Sequence, residues 1–404
     1  MSNSDFSPWP QFDEEEANAV RDVILSNKVN YWTGSEARKF EKEFADWAGT
    51  SYAVALANGT VALDVALKAL GIGPGDEVVV TPRTFLASVS CVVNIGAKPV
   101  FADVELDTGN ISAQTIRPVL TPRTRAIICV HLGGWPCDMD PIIDLARSNN
   151  IKVIEDCAQA HGSIYKGRKV GSIGDVGAWS FCQDKIMTTG GEGGMVTTND
   201  RSLWSDMWSY KDHGKSYNAV YNQVHPPGFR WVHESFGTNW RMLETQATIG
   251  RIQLRRIETW HMKRKENSDK LISLLNPFTG SNGPLRIPRL LNVDANHSRH
   301  ANYRLYAYVR DENLASGWSR DRILHEAGLH KLPVFQGTCS EVYLEKAFDN
   351  TGFKPERRLA NAQNLGETSL AFLVHPTLTL QEIELIADHM ITILSRASKN
   401  ENVV

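Results

Sequence analysis

The stretch Val176–Gly194, VGAWSFCQDKIMTTGGEGG, decides the fold of this chain. Its apolar beginning predicts a buried strand that runs from Val176 to Phe181. Lys185 follows shortly after this strand, and four glycines between Thr188 and Gly194 give the backbone freedom to turn tightly and to approach other groups closely. The segment therefore predicts a strand whose carboxyl end presents one lysine.

A second apolar run upstream, Ile151–Ile154, ends in Glu155 and Asp156. A carboxylate at the end of a buried strand is costly unless it is paired or hydrogen-bonded. A lysine that forms a Schiff base and an acid that holds a ring nitrogen are the two groups that pyridoxal phosphate requires of its protein. The alternatives are that Asp156 caps a neighbouring helix and that Lys185 is an ordinary surface lysine.

Short β-branched runs alternate with helical stretches from residue 51 onward. They predict strands at Tyr52–Leu56, Glu77–Thr81, Pro99–Val104, Ala126–Leu132, Lys152–Asp156 and Gly177–Phe181. Strands separated by helices indicate an α/β fold with a mostly parallel central sheet and helices on both faces. The functional groups of such a sheet are expected at the carboxyl ends of its strands.

The flanking segments suggest two domains. Apolar periodicity predicts helices at Asp13–Ser26, Ser35–Ala48, Arg241–Lys265, Arg320–Ala327 and Gln381–Ser395, and a strand at Tyr303–Val309. Residues 212–240 are rich in glycine, proline and aromatic residues, which predicts a long functional loop. We expect a large α/β domain over residues 1–265, with an N-terminal helical segment, and a smaller α+β domain over residues 266–404.

Composition excludes several classes of protein. The net charge of -3 gives no sign of a nucleic-acid partner. No apolar run approaches the ~20 residues of a membrane helix, and the N-terminus shows no signal peptide. The six cysteines are scattered without a CxxC pair, which favours reduced thiols over a disulfide framework or a metal site. We expect a cytoplasmic protein with no metal and no membrane or nucleic-acid partner.

Other strand ends carry candidate binding groups. Gly59 and Thr60 begin a predicted helix, where their amides would bind a phosphate, although a plain N-cap is the alternative. Phe85 could stack on a flat ring or belong to the core. Gln159 could donate to a phenolic ring oxygen, and the Ser180 hydroxyl could reach a phosphate.

The motifs in this order resemble the DegT/DnrJ/EryC1/StrS family of pyridoxal-phosphate nucleotide-sugar aminotransferases, which have the aspartate-aminotransferase fold, type I. The resemblance runs from about residue 30 to residue 380. Its marks include Asn58–Leu63, Gly71–Val78, Thr84–Ser88, Ile154–Ala160, Ser180–Lys185, Gly191–Gly194 and Gly237–Met242.

The resemblance implies a role for each matching residue. Lys185 would carry the cofactor and shuttle a proton, and Asp156 would pair with the ring nitrogen. The other implied cofactor contacts are Gln159 at the ring oxygen, Phe85 on the ring face, and Gly59, Thr60 and Ser180 at the phosphate. Asn239 would reach the phosphate of the neighbouring subunit's cofactor, so that a homodimer would share its active sites. Relatives that dehydrate sugars carry histidine in place of Lys185, so lysine favours transamination.

The expected reaction moves an amino group from L-glutamate to C4 of a nucleotide-linked 4-keto-6-deoxyhexose, for surface-glycan or related amino-sugar biosynthesis. The alternatives are a C3 aminotransferase acting on a 3-keto sugar nucleotide, a cyclitol aminotransferase and a non-catalytic cofactor-binding regulator. Lys215, Arg230 and Arg241 are candidates for binding the nucleotide phosphates, although long basic side chains are usually solvated. We expect burial to lower the pKa of Lys185 toward neutrality.

Overall fold

The alternation of apolar runs and helices gives a chain in which most strands are separated by helices. A computed structural model describes residues 6–288 and 297–399. The strands are β1 Tyr52–Leu56, β2 Glu77–Val80, β3 Lys98–Phe101, β4 Thr124–Val130, β5 Lys152–Asp156, β6 Ile164–Tyr165, β7 Arg168–Lys169, β8 Val176–Ser180, β9 Gly194–Thr198, β10 Leu285–Arg286, β11 Arg304–Val309, β12 Val334–Phe335 and β13 Ser369–Leu373.

Helices separate most of these strands. They are α1 Glu14–Leu25, α2 Glu36–Ala48, α3 Gly59–Ala69, α4 Ala87–Asn94, α5 Ala113–Ile116, α6 Met139–Ser148, α7 Arg201–Tyr210, α8 Tyr217–Tyr221, α9 Glu244–Leu275, α10 Arg320–Leu329, α11 Ala360–Thr368 and α12 Leu380–Ala397. Within residues 6–288 and 297–399, none of them has the length and apolar character needed to span a bilayer.

The central sheet has seven strands in the order β1-β9-β8-β5-β4-β2-β3. Its neighbours from β8 through β5, β4 and β2 to β3 are all parallel. Strand β9 is antiparallel to both β8 and β1. The six strands predicted from the sequence are confirmed with small shifts at their ends, and the mostly parallel sheet is confirmed with them. Strand β9 was not predicted, because it begins within the glycine run.

Helices pack on both faces of this sheet, as predicted. Along β8, Ala178 faces a core shared with α3, α4 and α7, whereas Trp179 faces a core shared with α2 and α9. Successive residues of a strand point to opposite faces, so a strand buried on both sides is apolar without alternation. Strand β8 is therefore packed on both faces, and this packing positions its carboxyl end.

Helix α9 is longer than the sequence predicts. The predicted helix spans Arg241–Lys265, whereas the observed helix has 32 residues and continues to Leu275. Leu271 and Leu275 are fully buried in a second core, and this tertiary burial extends the helix beyond the expected end. The predicted domain boundary at residues 265 and 266 falls inside the helix, and the division into two domains stays a prediction.

The C-terminal part contains a separate four-stranded sheet in the order β10-β11-β13-β12, with antiparallel pairing throughout. Helices α10 and α12 pack on it around a core that contains Ile323, Ile386 and Met390. The predicted strand and both predicted helices of this region are confirmed. The first residue of β11, Arg304, follows Tyr303, which contacts the segment that carries Lys185.

Candidate active site

Several predicted site residues lie at the carboxyl edge of the central sheet. Asp156 is the last residue of β5 and Ser180 is the last residue of β8. These two strands are parallel neighbours, with Asp156 paired to Ala178. Parallel strands end at one edge, so the geometry brings the two side chains to the same side of the sheet.

Asp156 is buried and hydrogen-bonded on both carboxylate oxygens. The Ser88 hydroxyl donates to Oδ2 at 2.7 Å, and the backbone amide of Ala158 donates to Oδ1 at 3.1 Å. Burial raises the pKa of Asp156 above its ordinary value, while Ser88, Ala158 and the charge of Lys185 act in the opposite direction. A buried, oriented carboxylate of this kind suits a protonated ring nitrogen, which would replace the lost hydration.

The N-terminus of α3 lies against Ser180. Asn58 caps the helix by accepting a hydrogen bond from the amide of Val61 at 3.0 Å, so the N-cap alternative is also correct. The amides of Gly59 and Thr60 precede the first intrahelical hydrogen bond and are left to an outside acceptor. A Cβ atom on Gly59 would lie 2.5 Å from the Ser180 Cβ, so only glycine lets the helix end approach the hydroxyl.

The glycine run after Lys185 packs against the same helix end. A Cβ atom on Gly194 would lie 2.2 Å from the carbonyl oxygen of Asn58. Gly190 and Gly191 have φ values of 87° and 122°. Residues that carry a side chain rarely adopt such positive backbone angles. The close approach predicted from the sequence is therefore real, and it joins the lysine segment to the predicted phosphate site.

Phe85 and Gln159 supply further groups at this edge. The Phe85 side chain is 71% exposed, which excludes the alternative that it belongs to the core and leaves a ring face available for stacking. Gln159 is buried, and its Oε1 accepts a hydrogen bond from the amide of Gly133 at 2.8 Å. That bond orients the side chain and directs its NH2 group, the donor, away from Gly133.

Lys185 is largely buried, with 16% of its side chain exposed, and its Nζ lies 3.3 Å from Asp184 Oδ1. Burial alone would lower its pKa, but Tyr303 and the Asp184 carboxylate outweigh burial and the pKa lies above its ordinary value. The expected lowering is therefore wrong for the protein without ligands. Burial alone does not decide this pKa, because the preceding residue, Asp184, places a carboxylate against Nζ.

The loop of residues 212–240 contains the short helix α8 and meets Arg241 at its end. Lys215 Nζ and Arg241 Nη1 both bind Asp212 Oδ1, at 2.8 Å and 2.7 Å. Arg230 is exposed farther along the loop. The structure thus brings Lys215 and Arg241 together on one carboxylate, and Arg230 is not a member of that pair. Asn239 pairs with Asp212 as an isolated bridge, and its side chain is exposed.

Four residues around the site have no predicted role. Ser88 and Thr84 form a hydroxyl pair at 2.7 Å that leads to Asp156. Tyr303 donates to Asp184 at 2.5 Å, and the Trp9 indole donates to the carbonyl of Lys185 at 2.8 Å. Only Thr84 and Ser88 carried a sequence signal, since they lie within a motif of the resemblance; Tyr303 and Trp9 lie far from Lys185 in the sequence.

The donor set fits pyridoxal phosphate. A helix N-terminus and a serine hydroxyl suit the phosphate, an exposed aromatic ring suits the flat ring, and a buried carboxylate suits its nitrogen. Lys185, on the segment that follows Ser180, lies close enough to Asp156 to act on its charge. The fold and this site define a pyridoxal-phosphate-dependent aminotransferase of fold type I, as the sequence predicts.

The comparisons with known proteins agree. The model of the DegT/DnrJ/EryC1/StrS aminotransferase family matches residues 10–391. The GDP-perosamine synthase of Caulobacter vibrioides is 39% identical over 326 residues, which are 78% of this chain and 81% of that protein. The chain therefore belongs to the DegT/DnrJ/EryC1/StrS aminotransferase family, and it is a pyridoxal-phosphate-dependent nucleotide-sugar aminotransferase.

Two further relatives bear on substrate and fold. The dTDP-3-amino-3,6-dideoxy-alpha-D-galactopyranose transaminase of Aneurinibacillus thermoaerophilus is 38% identical over 271 residues, which are 66% of this chain and 70% of that protein. The X-ray structure of an aminotransferase from Psychrobacter cryohalolentis has 61% sequence identity and superimposes with a TM-score of 0.95, covering 96% of this chain and 99% of that one.

Proposed function

We propose that the protein transfers an amino group from L-glutamate to C4 of a nucleotide-linked 4-keto-6-deoxyhexose, for amino-sugar biosynthesis. The observation that carries the proposal is the meeting of Asp156, Ser180 and the N-terminus of α3 at one sheet edge beside Lys185. The name of the Caulobacter relative specifies a GDP-linked sugar product, which supports a sugar nucleotide as substrate.

Each residue contributes one physical effect to this reaction. When bound, pyridoxal phosphate supplies an electron-withdrawing ring that takes up the negative charge developing on the substrate carbon. Asp156 would hold positive charge on the ring nitrogen, and Phe85 would stack on the ring. Lys185 Nζ, once neutral, would be the base that accepts a proton from the substrate carbon and gives it back. Gly59, Thr60 and Ser180 would hold the phosphate, and Gln159 would donate to the ring oxygen.

Amination at C3 is the second candidate. The name of the Aneurinibacillus relative specifies a 3-amino sugar linked to dTDP. The catalytic groups are the same for both carbons, because they act on the amine-bearing atom and not on the rest of the ring. We favour C4 because it is the position that the resemblance to the family implies. Among the three basic candidates, Arg230 is the exposed one, and we assign it to the nucleotide phosphates ahead of Lys215 and Arg241.

A homodimer with shared sites completes the proposal. Asn239 is exposed in the single chain and lies in a loop with several exposed aromatic side chains, among them Trp231 at 85% and Phe236 at 99%. Exposed aromatic patches of this kind are typical of protein interfaces. We infer that a second copy covers this loop and that Asn239 then donates to the phosphate in the partner's site.

The absorbance spectrum of the purified protein tests the reaction. A band near the visible edge that shifts toward the ultraviolet on addition of L-glutamate supports the donor half-reaction, with Lys185→Ala as the control that shows no such band. Sugar nucleotides with a 4-keto or a 3-keto group, linked to GDP, dTDP or UDP, are then added to the aminated enzyme. Return of the band with 4-keto sugars alone supports C4. Return with 3-keto sugars alone overturns C4, and a band that ignores glutamate overturns the donor.

A further inference from the structure

The residue immediately before Lys185 is an acid that faces the lysine. Asp184 Oδ1 lies 3.3 Å from Lys185 Nζ, within ion-pair distance. Side chains of adjacent residues usually diverge, so this contact depends on the local backbone. The amide of Lys185 donates to the carbonyl of Cys182 at 3.0 Å, and the turn closed by this bond brings both side chains to one side.

The second oxygen of Asp184 is fixed by the C-terminal part of the chain. The Tyr303 hydroxyl donates to Asp184 Oδ2 at 2.5 Å, and Arg304 Nη2 lies 3.7 Å from the same oxygen. Tyr303 is itself buried, with its hydroxyl also 3.5 Å from Arg304 Nη2. The carboxylate is therefore held by one oxygen, and the other oxygen is left to Lys185.

Several charged and titratable groups surround Lys185, and they differ in whether they raise or lower a pKa. Burial is the largest influence on the lysine and lowers its pKa, whereas Tyr303, Asp184 and, more weakly, Cys182 raise it. The charge of Lys185 in turn opposes the burial that raises the pKa of Asp156, at the end of β5, and adds to the burial that lowers the pKa of His161. Arg304 on β11 reaches Asp184 and not the lysine. Of the acids, Asp184 is the one with a direct contact to Nζ among the described residues.

We propose that Asp184, held in place by Tyr303, is the counter-ion of Lys185 and determines how readily the lysine becomes the neutral amine that reacts with a carbonyl group. The proposal rests on the role assigned to Lys185 in the proposed function. In this arrangement the ion pair keeps Lys185 charged until an aldehyde reacts with it. To react with an aldehyde, the lysine must first release a proton to solvent; its nitrogen then forms a C=N bond, and the aldehyde oxygen leaves as water.

Reductive methylation of the cofactor-free protein tests this without any sugar or cofactor. Formaldehyde and cyanoborohydride methylate neutral amines only, so the rate at Lys185, followed by peptide mass spectrometry against pH, reports its pKa. Asp184→Asn keeps the shape and removes the charge. We expect its midpoint to fall by about one pH unit, which raises the rate about tenfold below both midpoints, the size of effect of one close opposite charge.

Three further variants separate a charge effect from a structural one. Tyr303→Phe frees the carboxylate and should shift the midpoint in the same direction by a smaller amount. Asp184→Glu keeps the charge and should restore the wild-type midpoint in large part. Asp321→Asn removes an exposed carboxylate that pairs with Arg320 on α10, and should change nothing at Lys185. An unchanged or higher midpoint in Asp184→Asn overturns the proposal. If that variant does not fold, an unchanged midpoint in Tyr303→Phe overturns it.

The assay also separates this proposal from the proposed function. Methylation rates depend on the lysine and its neighbours alone. An unchanged midpoint in Asp184→Asn would therefore overturn the counter-ion role without contradicting the spectral test of transamination. Conversely, a protein that ignores L-glutamate but shows the expected shift retains the ion pair and loses the assigned donor.

Discussion

At the scale of single residues, Asp156 depends on Ser88 for its charge. Burial is the largest influence on this carboxyl and raises its pKa, while the hydrogen bond from Ser88 is the largest influence that lowers it. The Ser88 hydroxyl is in turn paired with Thr84 at 2.7 Å. A short chain of hydroxyls therefore compensates for the removal of water around the acid.

Ser88→Ala should raise the pKa of Asp156 further, because burial remains and its main opposing hydrogen bond is lost. Since Asp156 acts in its ionised form, the acidic limb of the pH profile of kcat should move to higher pH. We expect kcat at neutral pH to fall about tenfold, the effect of one hydrogen bond to a charged group. Ser90→Ala is the matched control on α4, since the Ser90 hydroxyl has no hydrogen-bond partner among residues 6–288 and 297–399. Superimposable profiles of Ser88→Ala and wild type would contradict this view of Asp156.

The residues at strand ends could be predicted from the sequence, because a buried run that ends in an acid or a serine has few physical explanations. Their partners could not. Ser88 is 68 positions from Asp156, and Tyr303 is 119 positions from Asp184. Contacts over such separations follow from the packing of whole elements, which no local pattern encodes.

At the scale of elements, α9 is held close to α2 by the absence of a side chain. A Cβ atom on Gly250 would lie 2.6 Å from Phe40 Cζ and 3.0 Å from Thr189 Cγ2. Phe40 is fully buried and packs against Phe44 and Phe181, with ring centroids 5.7 Å and 5.4 Å away. Phe40 has no room to move, so this glycine sets the distance between the two helices.

Gly250→Ala should lower the free energy of unfolding by about 1–2 kcal/mol. The cost of overpacking is about 1–3 kcal/mol, and the better helix propensity of alanine offsets part of it. Gly328→Ala in α10 is the matched control, because a Cβ atom there would meet nothing within 4 Å. It should raise the stability by up to about 1 kcal/mol. Urea denaturation of both variants measures the difference, and equal midpoints would show that Phe40 can move after all.

Elements with one clear period could be predicted, and those decided by distant packing could not. Strands β5 and β8, which both precede Lys185 in the sequence, have apolar runs typical of a buried strand. Strand β9 has no such run of its own, because it starts at Gly194 and is completed by pairing with β1 and β8. Helix α9 continues past its expected end because Leu271 and Leu275 enter the C-terminal core.

At the scale of the whole molecule, a site shared between subunits predicts that the two sites of a mixed dimer differ. In a dimer formed from Lys185→Ala and Asn239→Ala subunits, one site would contain both an intact Lys185 and an intact partner Asn239. The other site would lack both.

Lys185→Ala lacks the reacting lysine, and Asn239→Ala is expected to retain the cofactor weakly. Mixing equal amounts of the two under conditions that exchange subunits, at limiting cofactor, should therefore bring the activity to about a quarter of that of the wild type, since half of the dimers are mixed and each has one intact site. The measurement is the rate with L-glutamate and the accepted keto-sugar nucleotide, compared with each variant alone. Activity equal to the mean of the two separate variants would place Asn239 in the same site as its own Lys185.

Trp9, in the N-terminal segment, makes the occupancy of the site measurable by fluorescence. Trp9 donates its indole N–H to the carbonyl of Lys185 at 2.8 Å, and its ring packs edge-on against Trp260 at 5.1 Å. With pyridoxal phosphate bound to Lys185, energy transfer from this nearby indole to the cofactor, which absorbs near the visible edge, would quench the fluorescence of Trp9. The difference in fluorescence between the wild type and Trp9→Phe isolates the signal of this indole. Its quenching therefore measures how much of the site is occupied, without an attached dye.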